Sequence, residues 1–294
     1  MPKQAEVIKV AITVDVDAIA GWLGSYGGEN SPSDLSRGEF AGKIGTLRLL
    51  DLFERQKIKT TWFVPGHSAE TFKVNLRKVA DLGHEIEPHG YSHENPTRLN
   101  REQEEKILIK TSKLCEELSG NKPVGYRAPW WEFSENTVDL LLKHNFMYDS
   151  SMMADEFHPY RLRSGDRWYK IDYTKDPETW MKPFEFGKEV NLVEIPVSWY
   201  LDDLPPMMFI KHPSYNYGYT SPEVMYGIYK AHFDYLFKVE RYGCLCLTIH
   251  PDVSARPHVL PLLERLINYI KRHERVRFST LSQIASEFIE GKRI

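Results

Sequence analysis

Two acidic residues stand at the end of an apolar, β-branched segment near the start of the chain. The predicted strand Ile8–Val14 leads directly into Asp15, and Asp17 follows two positions later. Because side chains two positions apart on a strand share a face, both carboxylates should point the same way at the carboxyl end of the strand, where α/β folds place their sites. Adjacent carboxylates repel unless a cation or a shared proton lies between them. The pair therefore predicts a metal or acid/base site, and the alternative interpretation is a solvated acidic turn.

Two histidines four residues apart, His89 and His93, follow a second short predicted strand near Glu85–Glu87. Imidazoles at this spacing lie on one face of a helical turn and can bind the same metal ion, although Gly90 favours an irregular turn. The spacing alone is weak evidence, because isolated histidines are mostly ordinary surface or core residues. Together with one carboxylate, however, the two imidazoles form a three-ligand set with an open position for water, as in catalytic zinc sites.

Further polar residues stand in RAPWW from Arg127, in YDSSM around Asp149, and after the apolar strand Cys244–Ile249. That last strand leads directly into His250, which is well placed to enter the mouth of a barrel and is a candidate general acid. His67 follows the predicted strand 60–64 and could line a pocket or simply form a hydrogen bond in a loop.

In chain order, the segments TVDVDA, HGYSH, RAPWW, YDSSM and LTIHP resemble the five motifs of the polysaccharide deacetylase family, also called carbohydrate esterase family 4 or the NodB-homology family. The likeness extends from about residue 8 to residue 288. Within the family, segments such as AGWLGSYGGENSP and WYLDDLPPMMFIK resemble the cytoplasmic branch of the Helicobacter peptidoglycan deacetylase homologue and bacterial cyclic imide hydrolases. The resemblance implies an α/β fold, a distorted (β/α) barrel with fewer than eight strands, that binds one divalent metal and hydrolyses an amide or ester.

The same resemblance implies a role for each matching residue. The implied metal ligands are Asp17, His89 and His93. Asp15 would be the base that activates water, Arg127 would orient Asp15, and His250 would protonate the leaving nitrogen. Since Val16 separates two acids that are adjacent in the family, which acid is the base stays open. Imidazole and carboxylate ligands suit zinc, the expected metal, and also cobalt, nickel or iron.

Around these residues the sequence departs from the family pattern. Trp130 and Trp131 replace the usual Tyr-Gly, which keeps a backbone N–H for an oxyanion but narrows the groove expected for a long glycan. Asp149 matches the fourth motif, and whether Asp149 or Asp252 supports His250 stays open. Trp199 is a candidate substrate-binding residue, and the Asp202-Asp203 pair near it would bind substrate or cap a turn.

The elements that position these residues alternate β-branched runs with amphipathic helices, which predicts βα units and a mostly parallel sheet. The predicted strands are 8–14, 60–64, 85–87, 192–195, 244–249 and 276–279, and the predicted helices are 46–56, 101–118, 134–143, 221–239, 258–273 and 281–289. No linker divides the chain, so we expect one domain over residues 1–294. Two segments are additional: a Gly-rich loop at 21–42 and an aromatic-rich insertion at about 155–220, interpreted as substrate walls, subunit contacts or a cap on the barrel.

Composition excludes several classes of protein. The 294 residues carry 38 Lys+Arg against 41 Asp+Glu, a balance that argues against a nucleic-acid or anionic-membrane binder. No run approaches the roughly 18 apolar residues of a membrane span, and the first residues lack the apolar segment of a secretory signal, which predicts a cytoplasmic protein. The three cysteines are predicted to be reduced and buried.

The residues and the resemblance leave three candidate functions for the chain. The resemblance implies an N-deacetylase of N-acetylglucosamine-type substrates such as peptidoglycan or chito-oligomers, and a homo-oligomer, specifically a tetramer. The alternative is a hydrolase of small cyclic amides such as imides or allantoin, favoured by the missing secretory signal and by Trp130 and Trp131, which suit an enclosed pocket for a flat ring. A non-catalytic barrel is the third reading, disfavoured because every candidate catalytic and metal-ligating residue is present.

Overall fold

The computed structural model of the chain describes residues 7–211 and 218–294. Its central element is strand β1 (Ile8–Asp15), which is buried along its whole length. The other strands are β2 (Thr61–Val64), β3 (Glu85–Pro88), β4 (Gly125–Tyr126), β5 (Tyr148–Asp149), β6 (Tyr160–Ser164), β7 (Lys188–Glu194), β8 (Cys244–Ile249) and β9 (Val276–Phe278). The predicted strands all occur within a few residues of their expected bounds.

The strands form two sheets. One sheet has the parallel order β3-β2-β1-β8, with β9 paired to the first residues of β1, and the other has the order β4-β5-β7-β6, in which only β6 is antiparallel. The sheets meet where the Arg127 N–H donates to the Pro88 carbonyl at 3.3 Å and where Asp202, beyond β7, bridges to Thr248 on β8. The wall of the distorted barrel thus follows seven parallel strands, β8-β1-β2-β3-β4-β5-β7, as the predicted α/β fold requires.

Helices cover the outside of the wall. They are α1 (Ala18–Gly24), α2 (Pro32–Phe40), α3 (Thr46–Arg55), α4 (Gly66–Thr71), α5 (Lys73–Asp81), α6 (Arg101–Ser119), α7 (Thr137–Lys143), α8 (Leu204–Met207), α9 (Pro222–Tyr235), α10 (Leu260–Ile270) and α11 (Leu281–Ile289). The longest, α6, begins with a reciprocal capping box between Asn100 and Gln103 and ends at the left-handed Gly120. The main core lies between these helices and the β1 sheet.

The prediction of a Gly-rich loop at 21–42 is wrong, because most of this segment is helical. Helices α1 and α2 occupy it, and a π-helical turn at Ala41–Gly45 connects α2 to α3. The glycines allow close packing: a Cβ on Gly38 would lie 2.5 Å from the backbone nitrogen of Ile19. Composition suggested a loop because glycines that permit packing cannot be distinguished from glycines that permit turns.

The segment predicted as an insertion contains β6, the β6–β7 connection, β7 and the residues beyond it, and since β7 is a strand of the barrel wall, the prediction of an addition over the whole range is wrong. Several of its aromatic side chains are exposed, among them Trp168, Tyr173 and Phe186, whereas Trp199 lines the central cavity. Tyr215 and Tyr217, which belong to the predicted insertion, lie outside the described residues. The three cysteines are free and buried. Across the described parts of the chain, every helix is too short or too polar to cross a membrane.

Candidate active site

The carboxyl ends of the barrel strands surround a cavity of about 450 Å³. Its polar lining is Asp15, Asp17, Tyr26, His89, His93, Asp202 and His250, and its apolar or aromatic lining is Trp130, Trp131, Trp199, Leu204, Pro205 and Ile210. Parallel strands place the residues that follow them at one edge of the sheet, which is why positions far apart in sequence meet here. Eight of the predicted site residues line this cavity.

Asp17, His89 and His93 converge within it. One ligand atom from each residue lies within 4.8 Å of the other two. Asp17 Oδ1 is 3.5 Å from His89 Nε2, and Asp17 Oδ2 is 3.3 Å from His93 Nε2. Asp17 Oδ1 is buried and has no hydrogen-bond partner, an arrangement that is costly for a carboxylate unless a cation completes it.

The outer nitrogens of both rings are already engaged. His89 Nδ1–H donates to the Arg127 carbonyl at 2.8 Å. His93 Nδ1 contacts the Ser25 hydroxyl, which itself donates to the His93 carbonyl at 2.7 Å, so Nδ1 is the donor of that pair. In the neutral rings, each Nε2 therefore presents a lone pair toward the Asp17 carboxylate, a donor set that fits a divalent metal.

The protonation states of two of the three residues, Asp17 and His93, agree with that fit. Burial lowers the pKa of His93 to about 4, so its ring is neutral at pH 7. Burial alone would raise the pKa of Asp17, but the three histidines that face it hold that pKa well below its usual range. A carboxylate and a neutral imidazole are the protonation states that metal binding requires. Burial lowers the pKa of His89, but the Asp17 and Asp15 carboxylates raise it above its usual value, so metal binding would release a proton from this ring.

The loop that carries the two histidines is not the helical turn that their spacing suggested. Gly90 has φ +63° and His93 has φ +59°, so both residues are in the left-handed region. The two rings nevertheless lie 4.9 Å apart between centroids. Glu94 stabilises this turn by accepting the backbone N–H groups of Tyr91 and Ser92 at 2.8 and 2.6 Å.

Asp15 and Arg127 form a buried ion pair beside the cluster. Arg127 Nη1 donates to Asp15 Oδ1 at 2.7 Å, and neither side chain is more than 2 % exposed. The rest of the guanidinium is fixed by Ser150, whose carbonyl accepts from Nε at 2.7 Å and whose hydroxyl accepts from Nη2 at 2.9 Å. Asp15 Oδ2 is 3.8 Å from His89 Nε2. Arg127 therefore orients Asp15 with one oxygen toward the predicted ligands.

His250 also lies beside Asp17, with its Nε2 3.6 Å from Asp17 Oδ2. Its Nδ1–H donates to Asp203 Oδ1 at 2.8 Å. Burial alone would lower the pKa of His250, but the surrounding carboxylates, Asp202 foremost, raise it well above its usual value. The ring is therefore a cation whose Nε2–H faces the cavity, which is the state that a general acid needs.

Three tryptophans form the cavity wall. The rings of Trp131 and Trp199 stack with centroids 4.3 Å apart. Trp130 and Trp131 have φ values of +63° and +53°. Such values are costly for bulky side chains and favour glycine. The tryptophans therefore enclose the cavity at the expense of local backbone strain.

Two of the predicted supporting residues lie outside the cavity. His67 is the second residue of α4, and its ring packs edge-on against Tyr91. Asp149 is buried behind the wall beside its register partner Glu194. Asp149 is therefore not the acid that supports His250.

Asp252 is also buried, and both its carboxylate oxygens lack a hydrogen-bond partner. Burial raises the pKa of Asp252 to about 7. The supporting acid is Asp203 instead, and Asp202 lines the cavity. Asp202 and Asp203 come after β7, the last barrel strand before β8, and residues beyond the carboxyl end of a barrel strand are expected at the site. Tyr26 also lines the cavity, and the sequence does not predict this, because the glycines around it are typical of a loop.

Comparison with known proteins identifies the relatives of this site. The polysaccharide deacetylase family model matches residues 42–148. A peptidoglycan deacetylase from Helicobacter pylori is 52 % identical over 286 residues, covering 97 % of this chain and 98 % of the relative. The chain belongs to the polysaccharide deacetylase family. A peptidoglycan deacetylase-like protein from Gibberella zeae is 36 % identical and covers 100 % of this chain and 90 % of its own length.

Solved structures agree with this family assignment. A Mycobacterium smegmatis protein assigned to the polysaccharide deacetylases superposes with a TM-score of 0.83 at 30 % identity, covering 100 % of this chain and 95 % of the other. An allantoinase has the same fold, with a TM-score of 0.76 at 21 % identity over 99 % of this chain and 92 % of its own. The family and barrel predicted from the motifs are confirmed, and so is a hydrolase of non-peptide carbon–nitrogen bonds.

Proposed function

We propose that the protein is a metal-dependent N-deacetylase that releases acetate from N-acetylglucosamine-type sugars such as those in peptidoglycan. The observation that carries the proposal is the complete set of acid, base and ligand side chains around one cavity, in a chain 52 % identical to a peptidoglycan deacetylase. A barrel that had lost catalysis would have no reason to retain the buried charges of Asp15, Asp17 and Arg127, which are costly without a function.

Each side chain has a part in amide hydrolysis. Asp17, His89 and His93 would hold a divalent ion, which supplies a Lewis acid that makes the amide carbonyl more electrophilic and water more acidic. Asp15, fixed by Arg127, accepts the proton of the attacking water. The His250 Nε2–H then donates to the amide nitrogen as the carbon–nitrogen bond breaks. A positioned general acid of this kind typically contributes about 10²–10⁴-fold to the rate.

A second candidate is the hydrolysis of a small cyclic amide, which the shape of the cavity favours. The stacked Trp131 and Trp199, together with Trp130, give the cavity flat aromatic walls. A cavity of about 450 Å³ falls within the usual range for small-molecule sites, and aromatic faces suit a planar ring. The same catalytic groups would then open the ring instead of releasing acetate.

One experiment separates the two. The metal-loaded protein is incubated in parallel with N-acetylated chito-oligomers and with glutarimide or succinimide, and free acetate and ring-opened product are measured. Acetate release that is lost in Asp15→Asn supports the deacetylase. Ring opening without acetate release contradicts it and establishes the second candidate, and failure with both classes in the presence of zinc or cobalt contradicts both.

The identity of the metal, the cellular location and the oligomeric state are further parts of this proposal. Zinc is the expected metal, since two imidazoles and a carboxylate suit it, although cobalt, nickel and iron accept the same ligands. A cytoplasmic homotetramer remains the expected location and assembly. Elemental analysis of the purified protein and its mass by light scattering test the metal and the tetramer.

A further inference from the structure

Two adjacent residues at the end of α1, Ser25 and Tyr26, each contact a different predicted metal ligand. Helix α1 begins directly after Asp17 and returns the chain to the site within seven residues. The backbone N–H groups of Ser25 and Tyr26 both donate to the Gly21 carbonyl at 2.9 Å, which fixes the turn that presents their side chains. Helix α1 thus connects Asp17, a predicted metal ligand, to Ser25 and Tyr26, which contact predicted ligands.

Tyr26 engages one oxygen of Asp17. Its hydroxyl, buried in the cavity wall, donates to Asp17 Oδ2. The other oxygen, Oδ1, is buried without any hydrogen-bond partner and lies 3.5 Å from His89 Nε2. Because a carboxylate that already accepts a hydrogen bond at one oxygen presents mainly the other to a metal, Tyr26 favours binding through Oδ1 alone.

Ser25 fixes the tautomer of His93. Its hydroxyl has one hydrogen, which it donates to the His93 carbonyl at 2.7 Å, so its oxygen must accept the hydrogen of His93 Nδ1. The lone pair of His93 is then on Nε2, the nitrogen that faces Asp17 at 3.3 Å. Without the Ser25 hydroxyl, the ring could carry its hydrogen on either nitrogen and could rotate.

The packing around this pair leaves little freedom. A Cβ on Gly21 would lie 2.4 Å from the Tyr26 ring, and a Cβ on Gly24 would lie 2.0 Å from the Ser92 carbonyl oxygen. Glycine at position 21 therefore leaves room for the Tyr26 ring, and glycine at position 24 lets the end of α1 lie directly against the histidine loop. Trp22 supports the Tyr26 ring edge-on at 5.2 Å between centroids.

We infer that Ser25 and Tyr26 are positioning residues for the metal: Tyr26 holds Asp17 as a ligand through one oxygen, and Ser25 holds His93 with Nε2 free to bind. The inference depends on the metal site of the proposed function. Groups that orient metal ligands in this way typically change metal affinity by about 10- to 100-fold when they are removed.

The test measures metal binding instead of catalysis. Wild type, Tyr26→Phe and Ser25→Ala are stripped with a chelator, and the zinc dissociation constant of each is measured by competition with a chromophoric chelator. We expect each substitution to weaken zinc binding by about 10- to 100-fold. In the cobalt-substituted proteins, Tyr26→Phe should also alter the visible ligand-field bands, since Asp17 becomes free to bind through both oxygens.

Matched controls remove hydroxyls that have no hydrogen-bond partner. Tyr229→Phe and Ser112→Ala delete buried hydroxyls that lack one in the structure, and both variants should bind zinc as wild type does. If Tyr26→Phe does not fold, Ser25→Ala alone decides the outcome. Zinc affinity unchanged in Ser25→Ala and in folded Tyr26→Phe overturns the inference, while a wild type that binds no metal overturns the metal site of the proposed function itself.

Discussion

The Asp203 carboxylate binds both ends of His250, accepting the ring Nδ1–H at 2.8 Å and the backbone N–H at 3.0 Å. The Ser254 hydroxyl donates to its second oxygen at 2.6 Å. The two oxygens are thereby engaged, and the imidazole is fixed with Nε2 toward the cavity. This geometry assigns Asp203 to the orientation and charge of the predicted acid.

Replacing Asp203 with asparagine should weaken the acid without removing it. The loss of the negative charge lowers the pKa of His250, so the protonated fraction falls at a given pH and the basic limb of the kcat profile moves to lower pH. At neutral pH we expect kcat to fall at least about tenfold, but by no more than the 10²–10⁴-fold that a general acid supplies. A kcat profile measured across pH checks this, and an unmoved basic limb would show that Asp203 does not act through His250.

The buried Asp15–Arg127 pair should be much more sensitive to single than to double substitution. Arg127→Met leaves the Asp15 charge buried without its partner, and removing one member of such a pair costs about 3–5 kcal/mol of unfolding free energy. Adding Asp15→Asn removes the stranded charge and should restore most of that loss, while activity stays absent. Urea unfolding in chelator of Arg127→Met, of Asp15→Asn and of the double variant measures this, and additive losses would contradict the coupling.

Two glycine-to-alanine substitutions should have opposite effects on stability. Gly24→Ala places a methyl 2.0 Å from the Ser92 carbonyl oxygen and should cost about 1–3 kcal/mol by overpacking. Gly227→Ala, on α9 with open space around the new methyl, should gain about 0.5–1 kcal/mol from better helix propensity. Denaturant unfolding of both variants provides the comparison, and equal effects would mean that α1 does not press on the histidine loop.

The neighbouring carboxyls of Asp149 and Glu194 should make stability depend on pH. Each has a buried oxygen without a partner, and burial raises the pKa of Asp149 to about 6 and that of Glu194 well above its usual value. Between the unfolded pKa values near 4 and these raised values, the folded state binds more protons. Its stability therefore falls as pH rises through this interval.

Glu194→Gln removes one carboxyl of that pair. The free energy of unfolding should then fall less between about pH 4 and pH 7, by on the order of 1–3 kcal/mol. Chelator-treated wild type and variant are compared by urea unfolding at several pH values in that range. Parallel pH profiles for the two proteins would show that Glu194 does not bind the additional proton of the folded state in this range.

Sequence patterns located the residues that stand directly after strongly apolar strands. Asp15 ends β1, Asp17 follows it and His250 follows β8, and the buried β-branched and aliphatic runs of both strands predict where each strand ends. Arg127 is predicted only by the motif resemblance, because β4, the strand that precedes it, has just two residues and is defined by its pairing with β5. A strand that short has no periodicity of its own to detect.

The residues that orient the site could not be predicted from strand patterns. Asp203 lies 47 residues from His250, and only the bridge between the segment after β7 and β8 brings the two together. The position of Tyr26 in the site could not be predicted, because glycines that allow a helix to approach a loop cannot be distinguished in a sequence from turn glycines. Asp149 matched a motif by sequence, but its strand directs it into the wall, so its neighbour Ser150 contacts Arg127 instead.

The central claim, that Asp17, His89 and His93 hold one catalytic divalent ion, is tested most directly by equilibrium dialysis of the stripped protein against zinc, followed by elemental analysis. The account predicts one zinc ion bound per wild-type chain, with binding abolished in His89→Ala and His93→Ala and strongly weakened in Asp17→Asn. Zinc bound equally well by all three variants, or not at all by wild type, would contradict it.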